Sequence, residues 1–371
     1  MPVPWESLAN EHILGIAPYE PGKPIEELER EFGISDAIKL ASNENPLPPS
    51  ERVLKAIAEA LPHLNRYPDG SGHSLRQGLA RRHGVSADHI VLGNGSNDLI
   101  ELLVRAFLRA GEEAIIPHPS FVVYPMNVQA AGGIRVVVTL KDYRLDLEAM
   151  ARAITPMTKM VFIANPNNPT ATIVTAEEVE HFMARVPDRV IVVFDEAYVE
   201  FAQGPDFPDA IGYMRHGRKV AVLRTFSKAA SLAGLRVGYA IADPDCVALL
   251  HRIRQPFNVN SVAQAAALAA MEDDSHVVEC LRMIEAGRHY LYDEFNGMGL
   301  RYAPSRANFI LVDVGRSAAS VFSWLLKEGV IVRPMTSFGM ESALRVTIGT
   351  PQENRRFVKA LKKVLAGVKE A

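Results

Sequence analysis

Two cysteines, Cys246 and Cys280, are all that the 371 residues contain, and they stand 34 positions apart with no CxxC. They suit a reducing compartment and carry no information on a metal or redox role. The chain has no run of 18 or more apolar residues, so nothing in it reads as a membrane span. Its start, MPVPWESLANEHILGI, lacks a basic stretch followed by an apolar one, so it does not read as a secretory signal. Blocks of like charge are also missing. Lys and Arg number 40 against 43 Asp and Glu, a formal net charge of −3. A nucleic-acid partner, which needs concentrated cations, is therefore not expected. The eleven histidines include no HExxH and join no cysteine cluster. Even the neighbouring His83 and His89 read as surface or core residues, and no metal is expected. The default is a soluble cytoplasmic protein.

What is present is ordinary in composition, with 48% hydrophobic and 22% charged residues. The length exceeds one ordinary core and predicts two domains, or a large α/β unit with a smaller partner. Residues 1–40 are rich in proline and read as an N-terminal arm. Over 41–255, short apolar runs alternate with helical patterns: IVLG (90–93), AII (114–116), IRVVV (134–138), KMVFIA (159–164), RVIVVF (189–194) and KVAVL (219–223). These nearly continuous β-branched runs predict a mostly parallel sheet covered on both faces by helices. One such helix is TAEEVEHFMARV, with Thr175 as N-cap and Glu178 completing a capping box. From 256 to 371 the pattern changes to a smaller α+β domain. A helical stretch (260–295) precedes strands NFILVDV and LRVTIG, and a final helix places Phe357, Leu361, Val364, Leu365 and Val368 on one face.

Chemistry is suggested by RTFSKAASLAGLRVGYA (224–240), which sets Lys228 among small and apolar residues. Lysine is rarely buried without a partner or a task, so Lys228 is either a surface residue beside a helix start or a working amine. Three proposed strands end in polar clusters: NPNNPT (165–170), DEAY (195–198) and RTFSK (224–228). In open parallel sheets ligands bind beyond the carboxyl ends of the strands, so these clusters can share one crevice. Asp195 follows an apolar run and reads either as a helix N-cap or as a buried carboxylate that needs a cation. VLGNGSNDLIELLVRAF (91–107) reads as strand, glycine turn and a helix apolar all round. Its N-terminal amides at Ser96 and Asn97 suit an anion, although the spacing is neither a P-loop nor a full GxGxxG. A phosphorylated cofactor with a cationic ring nitrogen and a carbonyl that captures lysine joins these pieces, and pyridoxal phosphate fits that description.

The stretches APYEPGKP (17–24), ASNENP (41–46), RYPDG (66–70), NPNNPT, DEAYVEF (195–201), TFSKAASLAGLRVGY (225–239), QPFNVNS (255–261) and LRVTIGT (344–350) run through nearly the whole chain. In them the sequence resembles the fold-type-I pyridoxal-phosphate aminotransferases, and among these the histidinol-phosphate branch. The resemblance implies that Lys228 forms the Schiff base with the cofactor aldehyde and that Asp195 pairs with the protonated pyridine nitrogen. Tyr198 and Asn168 would hydrogen-bond the ring's phenolic oxygen, and Phe121 would stack on the ring. Arg236 would clamp the phosphate with Ser96, Asn97, Thr225 and Ser227. Tyr67 would reach the phosphate in the other subunit, which implies a homodimer with shared active sites.

Arg345 matches the family arginine that receives the substrate's anionic end, with help from Arg333 and Tyr19; the alternative for Arg333 is a surface ion pair. The implied reaction is a transamination between L-histidinol phosphate and 2-oxoglutarate in histidine biosynthesis, giving imidazole-acetol phosphate and L-glutamate. An aromatic amino-acid aminotransferase is the alternative. A decarboxylase of phosphothreonine and a non-catalytic regulatory module on the same fold are remoter ones. The sequence departs from the family at Ala171, where the loop usually carries glycine. If that position needs positive φ, alanine costs roughly 1 kcal/mol there.

Overall fold

A computed structural model describes residues 3–19 and 22–367 of the chain. In chain order its strands are β1 (Ile38–Lys39), β2 (Ile90–Gly93), β3 (Glu113–His118), β4 (Ile134–Thr139), β5 (Thr158–Ala164), β6 (Ile191–Asp195) and β7 (Val220–Thr225). They continue with β8 (Gly238–Ala242), β9 (Arg301–Tyr302), β10 (Phe309–Asp313), β11 (Val330–Ile331), β12 (Arg333–Pro334) and β13 (Ala343–Thr347). Seven of them form one large sheet in the order β2-β8-β7-β6-β5-β3-β4. The fold is α/β: a mostly parallel sheet flanked by helices, plus a smaller unit built on an antiparallel sheet.

The runs at β5 and β6 are buried on both faces. Met160, Val161, Phe162 and Ile163 are shielded without alternation, as are Val192, Val193 and Phe194. That is the burial a parallel sheet under two helix layers requires. In the large sheet two features differ from the sequence reading. IRVVV forms the edge strand β4, where Ile134 and Val137 are half exposed rather than covered. GYAIA forms a further strand, β8, antiparallel to both β2 and β7. The connection from β7 to β8, residues 226–237, holds only a 3-10 turn, Ala233–Leu235. A parallel return usually runs through a helix packed on the sheet; this connection has none, and the chain doubles back instead. Lys228 and Arg236 lie within that return.

The helix Ala176–Met183 starts at Thr175 with the reciprocal Glu178 box in place. The helix Ser96–Phe107 is not apolar all round. Leu99, Ile100, Leu102, Leu103 and Val104 are buried, whereas Asn97, Glu101 and Arg105 are exposed. The expected stretch 260–295 is two helices, Ser261–Met271 and Asp274–Gly297, because Asp273 caps the second by accepting from the His276 N–H.

The smaller sheet has the order β12-β13-β10-β9 and is antiparallel throughout. Its core takes Phe357, Leu361 and Val364 from the final helix, Pro351–Gly367, with Leu365 packed at its margin. Val368 lies outside the described residues. The first 40 residues are more than an arm: helix Ile25–Phe32 buries Leu28 against Ala37, Leu326 and Ile331, and β1 pairs in parallel with β11. Ala263, Ala266 and Ala267 meanwhile pack into the large-sheet core. We propose a division in which the smaller unit begins near residue 272 and also takes in residues 25–41. Among the described residues no helix is long and apolar enough to cross a membrane.

Candidate active site

The carboxyl ends of β2, β5, β6 and β7 open into one cavity of about 330 Å³, closed over by Tyr19, Ser42, Asn43, Glu44 and Arg345. Lys228, Asp195, Tyr198, Asn168, Phe121, Ser96, Asn97, Thr225, Ser227 and Arg236 all line it, as do Tyr19 and Arg345. Tyr67 and Arg333 stand outside it.

Lys228 is half-buried, with Nζ 3.5 Å from the Ser42 carbonyl and 5.4 Å from the centre of the Tyr198 ring. Burial, followed by the charges of Arg345 and Arg236, pushes its pKa down to about 8, against the opposing pull of Glu44 and Asp195. The neutral, nucleophilic fraction at pH 7 is then greater by more than about a hundredfold than for an ordinary lysine.

Burial raises the pKa of Asp195, while a hydrogen bond from Tyr124, the Ala197 N–H and the charge of Lys228 pull it back. The Tyr124 hydroxyl donates to Asp195 Oδ2 at 2.6 Å, and the Ala197 N–H donates to Oδ1 at 3.2 Å. Sequence reasoning missed Tyr124. Its one signal is the i, i+3 spacing from Phe121, whose ring meets it edge-on at 5.7 Å. The second acid of DEAY, Glu196, does not line the cavity; Arg224 neutralises it through hydrogen bonds of 2.9 and 2.7 Å.

At the β2 end the donors converge. Thr225 Oγ1 donates to Ser227 Oγ at 3.0 Å, and Arg236 Nη1 reaches Ser227 Oγ at 3.3 Å and the Ala233 carbonyl at 3.1 Å. Gly95 precedes the helix at Ser96 with φ 79°, and a Cβ there would sit 2.5 Å from Arg236 Nη2. Only glycine lets the guanidinium lie against the start of the helix, where free amides and the helix dipole favour an anion.

On the opposite side Arg345 is almost fully buried. Nη1 donates to Asn168 Oδ1 at 2.6 Å and Nη2 to the Ala41 carbonyl at 2.5 Å, while Nε is buried without a partner. A buried guanidinium with a spare donor is an incomplete anion site. Arg333 is the register partner of Arg345 across β12 and β13, and its guanidinium lies 5.9 Å from the centre of the Tyr19 ring. It lines the neighbouring cleft with Lys23 and Thr336. Burial and then the charge of Arg333 lower the pKa of Arg345. Tyr67 is 82% exposed and stacks on Phe257, ring centres 4.6 Å apart at 17°. Ala171 has φ 60°, the left-handed backbone for which the family's glycine is suited.

A lysine with a lowered pKa, a buried carboxylate, an arginine-and-hydroxyl cradle at a helix start and a spare buried arginine donor fit a phosphorylated pyridine aldehyde. The description Aminotransferase class I and II matches residues 35–361. The chain belongs to that family. Among similar proteins of this aminotransferase, histidinol-phosphate aminotransferase 2 of Pseudomonas fluorescens is 51% identical over 97% of this chain and 98% of its own length. The histidinol-phosphate aminotransferase of Moorella thermoacetica is 46% identical over 98% and 95%. The solved histidinol-phosphate aminotransferase of Sinorhizobium meliloti, in complex with pyridoxal-5'-phosphate, superposes with TM-score 0.87 at 30% identity, covering 94% of this chain and 96% of that one.

Proposed function

We propose that this aminotransferase uses pyridoxal phosphate to exchange an amino group between L-histidinol phosphate and 2-oxoglutarate, giving imidazole-acetol phosphate and L-glutamate in histidine biosynthesis. The observation that carries the reading is the Lys228 amine, brought to about 8 in the same cavity as Asp195 and the Arg236 cradle. The names borne by the near-full-length relatives support the substrate.

When bound, pyridoxal phosphate supplies an electrophilic aldehyde and an electron-withdrawing ring. In this reading Arg236, Ser96, Asn97, Thr225 and Ser227 hold the phosphate, and Phe121 lies against the ring face. Asp195 would hold a proton on the ring nitrogen, an opposite charge that would keep the carboxylate ionised despite its burial. Tyr198 and Asn168 would donate to the ring's phenolic oxygen. Lys228 is the covalent attachment point. With cofactor and substrate bound, the Lys228 amine would be placed to take and return a proton at the substrate Cα, general acid–base work worth ~10²–10⁴-fold. Arg345, with Arg333 and Tyr19, receives the anionic end of either substrate: the phosphate of one, a carboxylate of the other. Tyr67, exposed on its own subunit, completes the phosphate site of a second copy, so the working form is a homodimer. Two free cysteines agree with a reducing cytoplasm.

Purified protein should bind pyridoxal phosphate with a visible absorption that borohydride fixes at Lys228, and should prefer histidinol phosphate to phenylalanine in kcat/KM. A colourless protein would overturn the enzyme reading. A preference for phenylalanine would overturn the substrate alone.

A further inference from the structure

The donors facing the middle of the cavity have a direction that can be followed one hydrogen bond at a time. The Asn43 backbone N–H donates to Thr347 Oγ1 at 2.9 Å. With one lone pair so engaged and the side chain 3% exposed, the Thr347 hydroxyl sends its single proton to Asn43 Oδ1, 3.3 Å away. The other end of that amide is therefore a donor, and Asn43 Nδ2 donates to the Tyr198 hydroxyl oxygen at 3.0 Å. Tyr198 has one proton of its own. Since its oxygen accepts from Asn43, that proton is free to point into the cavity.

The residue type at 43 is required twice. Its backbone is left-handed, φ 54°, which asparagine tolerates better than most residues, and the Asn308 side chain fixes it by donating to the Asn43 carbonyl at 3.1 Å. Glycine would accept the backbone but lose the amide.

The same strand settles a second donor. Arg345, two residues before Thr347 on β13, can only donate, so its bond to Asn168 Oδ1 leaves Asn168 Nδ2 as the end free to donate. We propose that Asn43 and Thr347 are positioning residues that hold the Tyr198 hydroxyl as a donor into the cavity, so that β13 sets the hydrogen-bonding polarity of both Tyr198 and Asn168. The proposal rests on the reading of Tyr198 as the partner of the cofactor's phenolic oxygen. A donor there stabilises the ionised oxygen, and loss of the donor raises the pH at which that oxygen gives up its proton.

The test is a pH titration of the visible band of the loaded enzyme, together with the affinity of the apoprotein for pyridoxal phosphate. Tyr198→Phe should move the titration midpoint up by about one pH unit. Thr347→Val, nearly the same shape without the hydroxyl, should move it up by about half a unit and weaken cofactor affinity several-fold, and Thr347→Ser should restore both. Asn43→Asp, which keeps the backbone but can only accept, should move it at least as far as Thr347→Val. In a Tyr198→Phe background the Thr347→Val shift should vanish. A Thr347→Val shift that persists in that background, or no shift from either Thr347→Val or Asn43→Asp, overturns the relay alone. An unchanged midpoint in Tyr198→Phe, or a protein that takes up no cofactor, overturns the relay together with the reading beneath it.

Discussion

Tyr124 donates its hydroxyl proton to Asp195 Oδ2 at 2.6 Å from complete burial, and this bond governs how far Asp195 stays ionised. Burial pushes the carboxyl up, and the hydrogen bond heads the influences that bring it back. Tyr124→Phe removes a donor to the charged form, so the Asp195 pKa rises further. The carboxylate then protonates at a higher pH as the medium is acidified. The acid limb of pyridoxal-phosphate binding to the apoprotein should move to higher pH. Fluorescence titrations across the acid limb would show it, and an unmoved limb would remove Tyr124 from the account.

Lys228 has the opposite sign. Its pKa is about 8 in the folded apoprotein against 10.5 ordinarily. Between these values the unfolded chain binds more protons, so this group's contribution to stability rises with pH over that window; below pH 8 its penalty is fully present. Lys228→Met should make the apoprotein more stable at pH 7 by about 1–2 kcal/mol, after allowance for solvent in the cavity. The gap to wild type should narrow as the pH approaches 10.5. Urea unfolding of both apoproteins at pH 7 and pH 10 checks the difference.

Phe257 is an aromatic residue with φ 58° and 43% exposure whose ring is spent on Tyr67. A left-handed aromatic costs about 1–2 kcal/mol. Asparagine tolerates that backbone, so Phe257→Asn should keep or raise the melting temperature. It should also loosen Tyr67 and lower cofactor affinity in the assembled enzyme several-fold. A fall in melting temperature without a change in affinity would make the stack merely structural.

At Ala171 two effects of similar size oppose each other. Glycine would relieve about 1 kcal/mol of left-handed strain. It would also lose a fully buried methyl, about 0.8 kcal/mol, and gain entropy in the unfolded chain. Ala171→Gly should therefore shift stability by less than about 1 kcal/mol. Ala171→Val, a larger side chain on an unfavourable backbone, should destabilise by more than about 2 kcal/mol. Denaturant midpoints of the two variants separate these outcomes.

The site was legible where chemistry follows directly from position along a strand. The ends of β5, β6 and β7 deliver Asn168, Asp195 and Lys228 because an apolar run terminates in polar residues, and that pattern is local. The contacts that orient those groups are not local. Tyr124 and Asp195 are 71 residues apart, Asn43 and Tyr198 are 155, and Asn168 and Arg345 are 177. No spacing rule reaches across such separations. The strand β8 is hidden in the sequence because GYAIA opens on glycine and carries a single β-branched residue, Ile241, unlike the runs that mark its neighbours. The helix break at Asp273 lay hidden in an alanine-rich helical pattern. The edge position of β4 depends on strand order, which the run IRVVV does not encode.

The doubling back of the chain between β7 and β8 has one more outcome. The amine of Lys228 and the guanidinium of Arg236 ride on a single tight link, whereas Arg345 is carried by the other sheet. Any swing of the smaller unit alters the reach to the incoming molecule but not the span between tether and anchor. The distance from tether to phosphate anchor is thus built into the large unit alone, while the hold on the ring's oxygen, through Asn168 and Tyr198, leans on the smaller one.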